Sequence, residues 1–364
     1  MRVVVFGAGA SKRAGYPLAG ELLPTIGKAA VDTTLTNFKT AWESWEEKRE
    51  ELPDEYKHLL ANPNPEITFS LIDLLEAAGD ESTRSRIRSA RQELAEGRNI
   101  DMAAYEAFWD SPFYEHIADA RAARAALLEC LKWYFSFMHH YDRERQTDRA
   151  YLKDLLGQLR PGDVVLTLNW DTTAERVLGE LGRWNPTTGY GFEHPLVLGS
   201  MPGGSGDSGE LDPSEIPVLK LHGSFGWYSC LGGGLYFGDM FLAEFGFERE
   251  ARPLYVKDPL APSYGPEEDP VLLYPSYLKR LDNKELQTVW QAAKRALEEA
   301  DQVEIWGYSL PASDTAVRTL LNVLAFRLEQ EEAAVVVHNP NAEARARWAE
   351  FLGPRAQLDD SRLE

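Results

Sequence analysis

The sequence predicts an α/β protein in which helices cover both faces of a parallel sheet. Five short apolar runs have the composition of strands, at 2–6, 163–168, 217–221, 302–306 and 333–338. Strands that are apolar at nearly every position are typical of parallel sheets that are buried on both faces. Helical patterns separate several of these runs, and strands that alternate with helices along a chain favour a parallel sheet.

The helical patterns are clearest near the carboxyl end. Residues 284–300 place apolar side chains three and four positions apart, which predicts an amphipathic helix. Residues 313–328 repeat that spacing, and Ser313 or Asp314 is expected to be the N-cap. A short last helix is predicted over 342–352.

Two stretches interrupt the alternation. Residues 35–150 carry little strand signal and much helix signal, so an all-helical insertion is expected between the first two strands. Residues 225–275 are rich in Gly, Pro and aromatic residues, which indicates a small insertion of strands and loops. The predicted organisation is a Rossmann-like core at 1–34 and 151–354 that contains both the small insertion and a mobile surface loop at 199–215, then a frayed tail at 355–364.

The charge of the chain restricts its partners. Its 364 residues include 38 Lys and Arg against 58 Asp and Glu, a net charge of −20. Nonspecific binding to nucleic acid needs a positive surface, and anionic membranes repel a negative one. No apolar run approaches the ~18 residues that span a membrane, and the chain opens on a strand pattern rather than a signal peptide. We therefore expect a cytoplasmic protein that binds neither nucleic acid directly nor a membrane.

The two cysteines, Cys130 and Cys230, are far apart in the sequence. A structural zinc site draws on closely spaced pairs of thiolates, and two distant cysteines do not supply them. The sequence therefore predicts neither a structural zinc ion nor a structural disulfide.

The first predicted strand runs into a glycine-rich turn that contains Gly7, Ala8, Gly9 and Ser11. Glycines at such a turn let the backbone approach a pyrophosphate, and the N-terminus of the following helix attracts the anion. The spacing differs from the G-x-G-x-x-G dinucleotide fingerprint, so a tight turn that binds no ligand is the alternative.

The other four predicted strands also end on polar or small residues. In chain order these are Asn169 and Asp171, then His222, then Gly307 and Ser309, then Asn339. Carboxyl ends of parallel strands share one edge of a sheet, where a dinucleotide would lie. Structural roles are the alternatives, since Asp171 or Thr172 could cap a helix over 173–181 and a single histidine is often structural.

Taken in order, the motifs GAGAS…GYP, TLNWD, KLHGSF, GYSLP and HNPN resemble those of the sirtuin-like NAD-dependent superfamily. The resemblance is greatest to the bacterial branch that has GYSLP where the deacylases have GTSL, and it covers roughly 1–20 and 160–341. It implies that Asn169 and Asp171 face the nicotinamide and its ribose, and that His222 is the general base. It also implies that Gly7, Ala8, Gly9 and Ser11 contact the phosphates and ribose, and that Gly307, Ser309 and Asn339 hold the adenosine half.

The departures from the deacylases bear on the activity. Deacylases carry four zinc cysteines after the His-Gly element, whereas this chain has only Cys230 there, and Leu18-Ala19 replaces their Phe-Arg. The zinc module forms one wall of the groove for an acyl-lysine peptide. The resemblance therefore implies a zinc-independent NAD glycohydrolase, in which NAD is the substrate and water replaces the acyl group.

Bacterial proteins of this kind are often NAD-depleting effectors of antiphage defence. An enzyme that consumes NAD is toxic if it is always active, so control by a homo-oligomer, a partner protein or an activating ligand is expected. The insertion at 35–150, which carries no site motif, is the expected place for that control. Two alternatives stand beside the glycohydrolase. One is an NAD-dependent protein deacylase, and the other is a non-catalytic module that binds NAD or ADP-ribose.

Overall fold

The structure is a computed structural model, and it describes residues 1–52, 57, 65–79, 117–145, 149–192, 196–198, 213–229, 235–237, 254–256, 270–273 and 283–363. Cys230 and most of the loop predicted at 199–215 lie outside these residues. The chain divides into two compact units. The first comprises Met1–Leu18, Phe135–Leu273 and Lys279–Glu364, and the second comprises Ala19–Tyr134 and Tyr274–Leu278.

The described strands, in chain order, are β1 (Arg2–Phe6), β2 (Val164–Thr167), β3 (Leu196–Leu198), β4 (Val218–Lys220), β5 (Gly223–Ser229), β6 (Leu235–Phe237), β7 (Leu254–Val256), β8 (Pro270–Leu272), β9 (Gln302–Trp306), β10 (Ala334–His338) and β11 (Gln357–Asp359). The described α-helices are α1 (Leu22–Asp32), α2 (Thr36–Glu51), α3 (Pro65–Gly79), α4 (Ile117–Arg145), α5 (Ala150–Gly157), α6 (Thr173–Glu180), α7 (Lys284–Glu299), α8 (Thr315–Glu329) and α9 (Ala342–Leu352).

The core of the first unit is a six-stranded sheet in the order β11-β10-β9-β1-β2-β4. Every neighbouring pair in it is parallel. The chain builds outward from β1 to β2 and β4, then crosses to the other side of β1 for its last three strands. This is the 3-2-1-4-5-6 order of a dinucleotide-binding Rossmann sheet. The predicted fold class, α/β with a Rossmann-like parallel sheet, is confirmed.

Strand β1 lies at the centre of this sheet, and its residues Val3, Val4, Val5 and Phe6 are almost fully buried. Burial on both faces explains why the strand is apolar without alternation. The helices predicted at 284–300 and 342–352 correspond to α7 and α9.

The prediction of a frayed tail at 355–364 is wrong for part of that segment. Residues 357–359 form β11, which pairs with β10 in the register Val336–Gln357 to His338–Asp359. Strand β11 lies at the edge of the sheet, and edge strands commonly carry polar or charged side chains such as those of Gln357 and Asp359. Leu358 between them packs against the core.

Smaller antiparallel sheets lie in the segment between β2 and β9. Strand β5 pairs with both β6 and β8, and β3 pairs with β7. Strand β5 follows directly on His222, and the main-chain N–H of Leu273, just after β8, donates to the carbonyl of His222 at 2.9 Å. This sheet therefore fixes the main chain at the end of β4.

The second unit is helical in its described elements, which are α1, α2, α3, α4 up to Tyr134, and a short 3-10 turn. Its buried side chains include Phe38, Trp45, Phe69, Ile72 and Leu127. Within the described part of the chain, no helix combines the length and apolar character that crossing a membrane requires.

Candidate functional site

Residues at the carboxyl edge of the large sheet form the candidate site. Each of the residues Gly7, Asn169, His222, Gly307 and Asn339 follows a strand of that sheet by one or two positions. Since the strands are parallel, these residues lie along the same edge. The strand order reverses between β1 and β9, and ligands of open α/β sheets bind beside that switch point.

At the switch point the glycine turn packs against the loop after β9. The N–H of Gly7 donates to the Trp306 carbonyl at 2.9 Å, and the N–H of Gly9 donates to the Gly307 carbonyl at 3.0 Å. A Cβ on Gly7 would lie 2.5 Å from Tyr308 Cα, and one on Gly9 would lie 2.8 Å from Gly307 Cα. Close packing of two main-chain segments therefore requires glycine here, whether or not a phosphate binds.

Gly307 provides a test of this packing. Its φ is +67°, and an added Cβ would lie 2.5 Å from the Ala10 nitrogen. Gly182 has a similar φ of +69° but no atom within 4 Å of an added Cβ. We expect Gly182→Ala to cost about 1 kcal/mol of unfolding free energy, which is the effect of the positive φ alone. Gly307→Ala should cost about 2 kcal/mol more, because its methyl group also overpacks the main chain. Equal losses in urea unfolding would contradict the packing argument.

Asn169 joins the end of β2 to the glycine turn. Its side-chain Nδ2 donates to the Gly7 carbonyl and to Ser11 Oγ, both at 3.0 Å. Asn169 and Ser11 are both buried. In the described part of the chain, Asn169 Oδ1 has no hydrogen-bond donor, so this acceptor is available to a bound hydroxyl group or water.

Asp171 lies at the start of α6. Its Oδ1 accepts a hydrogen bond from the Thr173 N–H at 2.9 Å, so the carboxylate does serve as a cap. Thr172 occupies the N-cap position, but its side chain makes no capping bond. The capping interpretation is therefore correct for the Asp171 side chain, which is buried beside Asn169.

A buried ion pair supports this turn, and the sequence analysis missed it. Lys220 Nζ lies 2.9 Å from Glu175 Oε1, and both side chains are 0% exposed. Lys220 Nζ also donates to the main-chain carbonyl of Asp171 at 2.5 Å, and Tyr190 Oη donates to Glu175 Oε1 at 3.2 Å. Burial raises the pKa of the Glu175 carboxyl group, and the charge of Lys220 opposes that rise. Burial and the charge of Glu175 also raise the pKa of Tyr190.

His222 lies between two internal acceptors. Its Nδ1 is 3.1 Å from the Leu168 carbonyl oxygen, and its Nε2 is 3.4 Å from Asp314 Oδ2. Tyr308 Oη donates to the same carboxylate oxygen at 2.7 Å. Both His222 and Asp314 are buried. Asp314 occupies the N-cap position of α8, as one of the two predicted candidates, but its side chain makes no capping hydrogen bond. Its position beside the His222 ring is a further feature that the sequence analysis missed.

An aromatic cluster adjoins His222. Trp170 Nε1 donates to the His222 carbonyl at 3.1 Å. The Trp170 ring meets that of Phe225 edge-on at 5.4 Å between centroids, and Phe225 stacks on Phe135 at 4.1 Å. The site therefore has an apolar wall beside its polar residues.

The loop after β9 is fixed by side chains from other elements. The Tyr308 carbonyl accepts hydrogen bonds from Asn339 Nδ2 at 3.1 Å and from Trp348 Nε1 at 2.9 Å. Arg347 Nε donates to the Ser309 carbonyl at 2.9 Å. The Ser309 side chain is exposed, whereas Asn339 is buried and its Oδ1 accepts from the Asn341 N–H at 3.0 Å. Asn339 therefore has a structural function in joining the two loops.

Comparison with known proteins gives matches among solved structures only. No protein-family model and no curated protein matches the chain. A Sir2 homologue in complex with NAD matches at 14% identity and a TM-score of 0.38, over 100% of this chain and 84% of the other. A structure described for the mechanism and regulation of Sir2 enzymes matches at 13% identity and a TM-score of 0.34, over 100% of this chain and 87% of the other. Sir2Tm bound to a propionylated peptide matches at 11% identity and a TM-score of 0.33, over 100% of this chain and 88% of the other. At identities and TM-scores this low, the likeness assigns neither an activity nor a site residue to this chain.

Proposed function

We propose that this protein is an NAD glycohydrolase that releases nicotinamide and ADP-ribose. The observation that carries the proposal is that Asn169, Asp171 and His222 are buried residues that follow β2 and β4, the strands on one side of the β1–β9 switch point. A strand order of 3-2-1-4-5-6 is associated with dinucleotides bound across that point. A buried amide, carboxylate and imidazole suit the reaction at a glycosidic bond.

The residues around the switch point fit a dinucleotide, with one restriction. The N–H groups of Gly7 and Gly9 donate to the carbonyls of Trp306, the last residue of β9, and of Gly307, so they are not available to a phosphate. The N–H of Ala8, at the first position of the 3-10 turn, makes no main-chain hydrogen bond within the described residues. It and the Ser11 hydroxyl group are the donors that we assign to the phosphates and ribose. The exposed Ser309 hydroxyl group, beside Gly307 and Asn339, suits the adenosine half.

The proposed chemistry breaks the bond between the nicotinamide nitrogen and the ribose carbon. The bonding electrons move to the nicotinamide ring, whose positive charge is neutralised, through an oxocarbenium-like transition state. The Asp171 carboxylate would stabilise the positive charge that develops on the ribose. Asn169 Oδ1 would orient the ribose or the water, and His222 would accept the proton that the attacking water loses.

The decisive experiment incubates the purified full chain with NAD and follows nicotinamide and ADP-ribose by chromatography. Wild-type protein should release both products, and Asn169→Ala should be slower by about 10²-fold or more, because the acceptor at the ribose is lost. Asn283→Ala is the matched control. Asn283 caps α7 through a bond from the Leu286 N–H at 2.9 Å, so its loss should lower stability by about 1 kcal/mol and leave turnover unchanged. Near-wild-type release by Asn169→Ala would contradict its role.

A second candidate function is a non-catalytic module that binds NAD or ADP-ribose. The observation in its favour is that both ring nitrogens of His222 already face internal acceptors. Calorimetric titration with NAD, with product analysis of the same sample, separates the two functions. Binding without product would support the module.

We also propose that the protein is an antiphage effector that self-assembly switches on. Nicotinamide release per molecule should then rise with protein concentration, which the same assay measures over a range of concentrations.

A further inference from the structure

The protonation of His222 can be argued from its surroundings. The Leu168 carbonyl oxygen can only accept a hydrogen bond, so Nδ1 at 3.1 Å must carry a proton to bond with it. A neutral ring would then present a lone pair on Nε2 towards Asp314 Oδ2 at 3.4 Å. A carboxylate is also only an acceptor, so that arrangement is repulsive.

A second proton on the ring removes this conflict. Imidazolium donates from both nitrogens, and an opposite charge within about 4–6 Å favours the charged form. Tyr308 Oη donates to Asp314 Oδ2 at 2.7 Å, which stabilises the carboxylate as an anion. The extra proton therefore belongs on the histidine rather than on Asp314.

In the part of the chain that the structure describes, the charged groups on β4 and in the turn after β2 have partners other than the His222 ring. Lys220, on the same strand, is directed to Glu175 and to the Asp171 carbonyl. Asp171, from the turn after β2, accepts from the Thr173 N–H. The hydrogen bonds from Trp170 and Leu273 are made with the His222 main chain.

We propose that Asp314 is a positioning residue that holds His222 in its doubly protonated form, with Tyr308 fixing the carboxylate. In this arrangement His222 Nε2 already carries a proton and faces Asp314, so it cannot accept another proton. The consequence of this arrangement for catalysis rests on the proposed function. A base that is already protonated cannot take a proton from water, so this conformation is a resting state, and release of Nε2 from Asp314 activates it.

The test is an NMR titration of the histidine rings in the full chain, with the His222 signal assigned by its absence in His222→Gln. The midpoint for His222 should lie above ~6.5, the value of an unperturbed histidine. It should fall by about one unit or more in Asp314→Asn, because the neighbouring negative charge is removed. Asp359→Asn is the matched control. Asp359 Oδ2 lies 3.2 Å from His338 Nδ1, so that change should lower the midpoint of His338 and leave His222 unmoved.

A His222 midpoint at or below the ordinary value, unchanged in Asp314→Asn, would overturn the proposal. If Asp314→Asn does not fold, the ¹⁵N chemical shifts of the wild-type His222 ring near neutral pH test the proposal instead. Two protonated ring nitrogens would support the proposal, and one protonated nitrogen would refute it. In the activity assay, the acidic limb of the pH–rate profile should move to lower pH in Asp314→Asn by the shift seen in the NMR titration. If the midpoint moves but no variant releases nicotinamide, the proton assignment is correct and the proposed glycohydrolase is wrong.

Discussion

Replacing His222 by alanine is expected to reduce nicotinamide release by about 10²–10⁴-fold, the usual loss when a general base is removed. Binding of NAD should survive better than turnover. The donors that we assign to the phosphates, the Ala8 N–H and the Ser11 hydroxyl group, belong to the turn after β1, whereas His222 follows β4 at the edge of the sheet. Retained affinity with lost turnover would support a role for His222 in the reaction itself.

The measurement is calorimetric titration of a non-cleavable NAD analogue, beside product analysis and a melting temperature. Alanine also leaves Asp314 without its cationic partner, so some loss of stability is expected. His222→Gln is the matched variant, because its amide can still donate a hydrogen bond but does not titrate near neutral pH. Full activity in His222→Gln would exclude His222 as the base. Lost affinity at an unchanged melting temperature would make it a binding residue.

Lys220→Met is expected to destabilise the first unit by about 3–5 kcal/mol, because it leaves a buried charge without its partner. Glu175 Oε1 would keep only the bond from Tyr190, and Glu175 Oε2 has no hydrogen-bond partner in the described structure. The Asp171 carbonyl would also lose its donor, so the turn that holds Asn169 and Asp171 should loosen. Chemical unfolding measures the first effect, and NAD turnover of the folded fraction measures the second.

Two controls separate the missing charge from the missing side chain. The double variant Lys220→Met with Glu175→Leu removes the uncompensated charge and should recover part of the loss. The rest remains because the Asp171 carbonyl still lacks its donor and the Tyr190 hydroxyl group lacks its acceptor. Lys153→Met removes one of the two basic partners of Glu180, from a pair whose side chains are 46% and 42% exposed. That change should cost at most about 1 kcal/mol. Equal losses in Lys153→Met and Lys220→Met would contradict the explanation.

The strands, and the presence of polar residues at their carboxyl ends, could be predicted from the sequence because both depend only on residues that are neighbours in the chain. An apolar run such as Val3–Phe6 indicates a buried strand, and the residues at the end of each strand are its immediate neighbours in the chain. The topology then places Gly7, Asn169 and His222 on one edge. The reason for the glycines could not be predicted in the same way. A Gly-rich turn is compatible with an approaching phosphate or an approaching main chain, and only the tertiary structure shows Gly307 against Gly9.

Lys220 and Asp314 were missed for a related reason. A single lysine in an apolar strand gives no sign of its partner, and Glu175 lies on the helix after a different strand. An aspartate before a helix is expected to cap it, and that expectation hid the orientation of Asp314 towards His222. In both cases the partner comes from a distant part of the sequence, so spacing along the chain carries no signal.

The contact between Gly9 and Gly307 also has a consequence for synthesis of the chain. Strand β1 leaves the ribosome before the other strands of its sheet, yet one of its two neighbours is β9, which is translated only after β2 and β4. The turn after β1 cannot form its bonds to Trp306 and Gly307 until those residues have been translated. Most of the helical unit, Ala19–Tyr134, is by contrast continuous in sequence and available early. A nascent or prematurely terminated chain that stops before residue 302 therefore lacks one wall of the switch point and also lacks Asp314, however well its helical unit has folded.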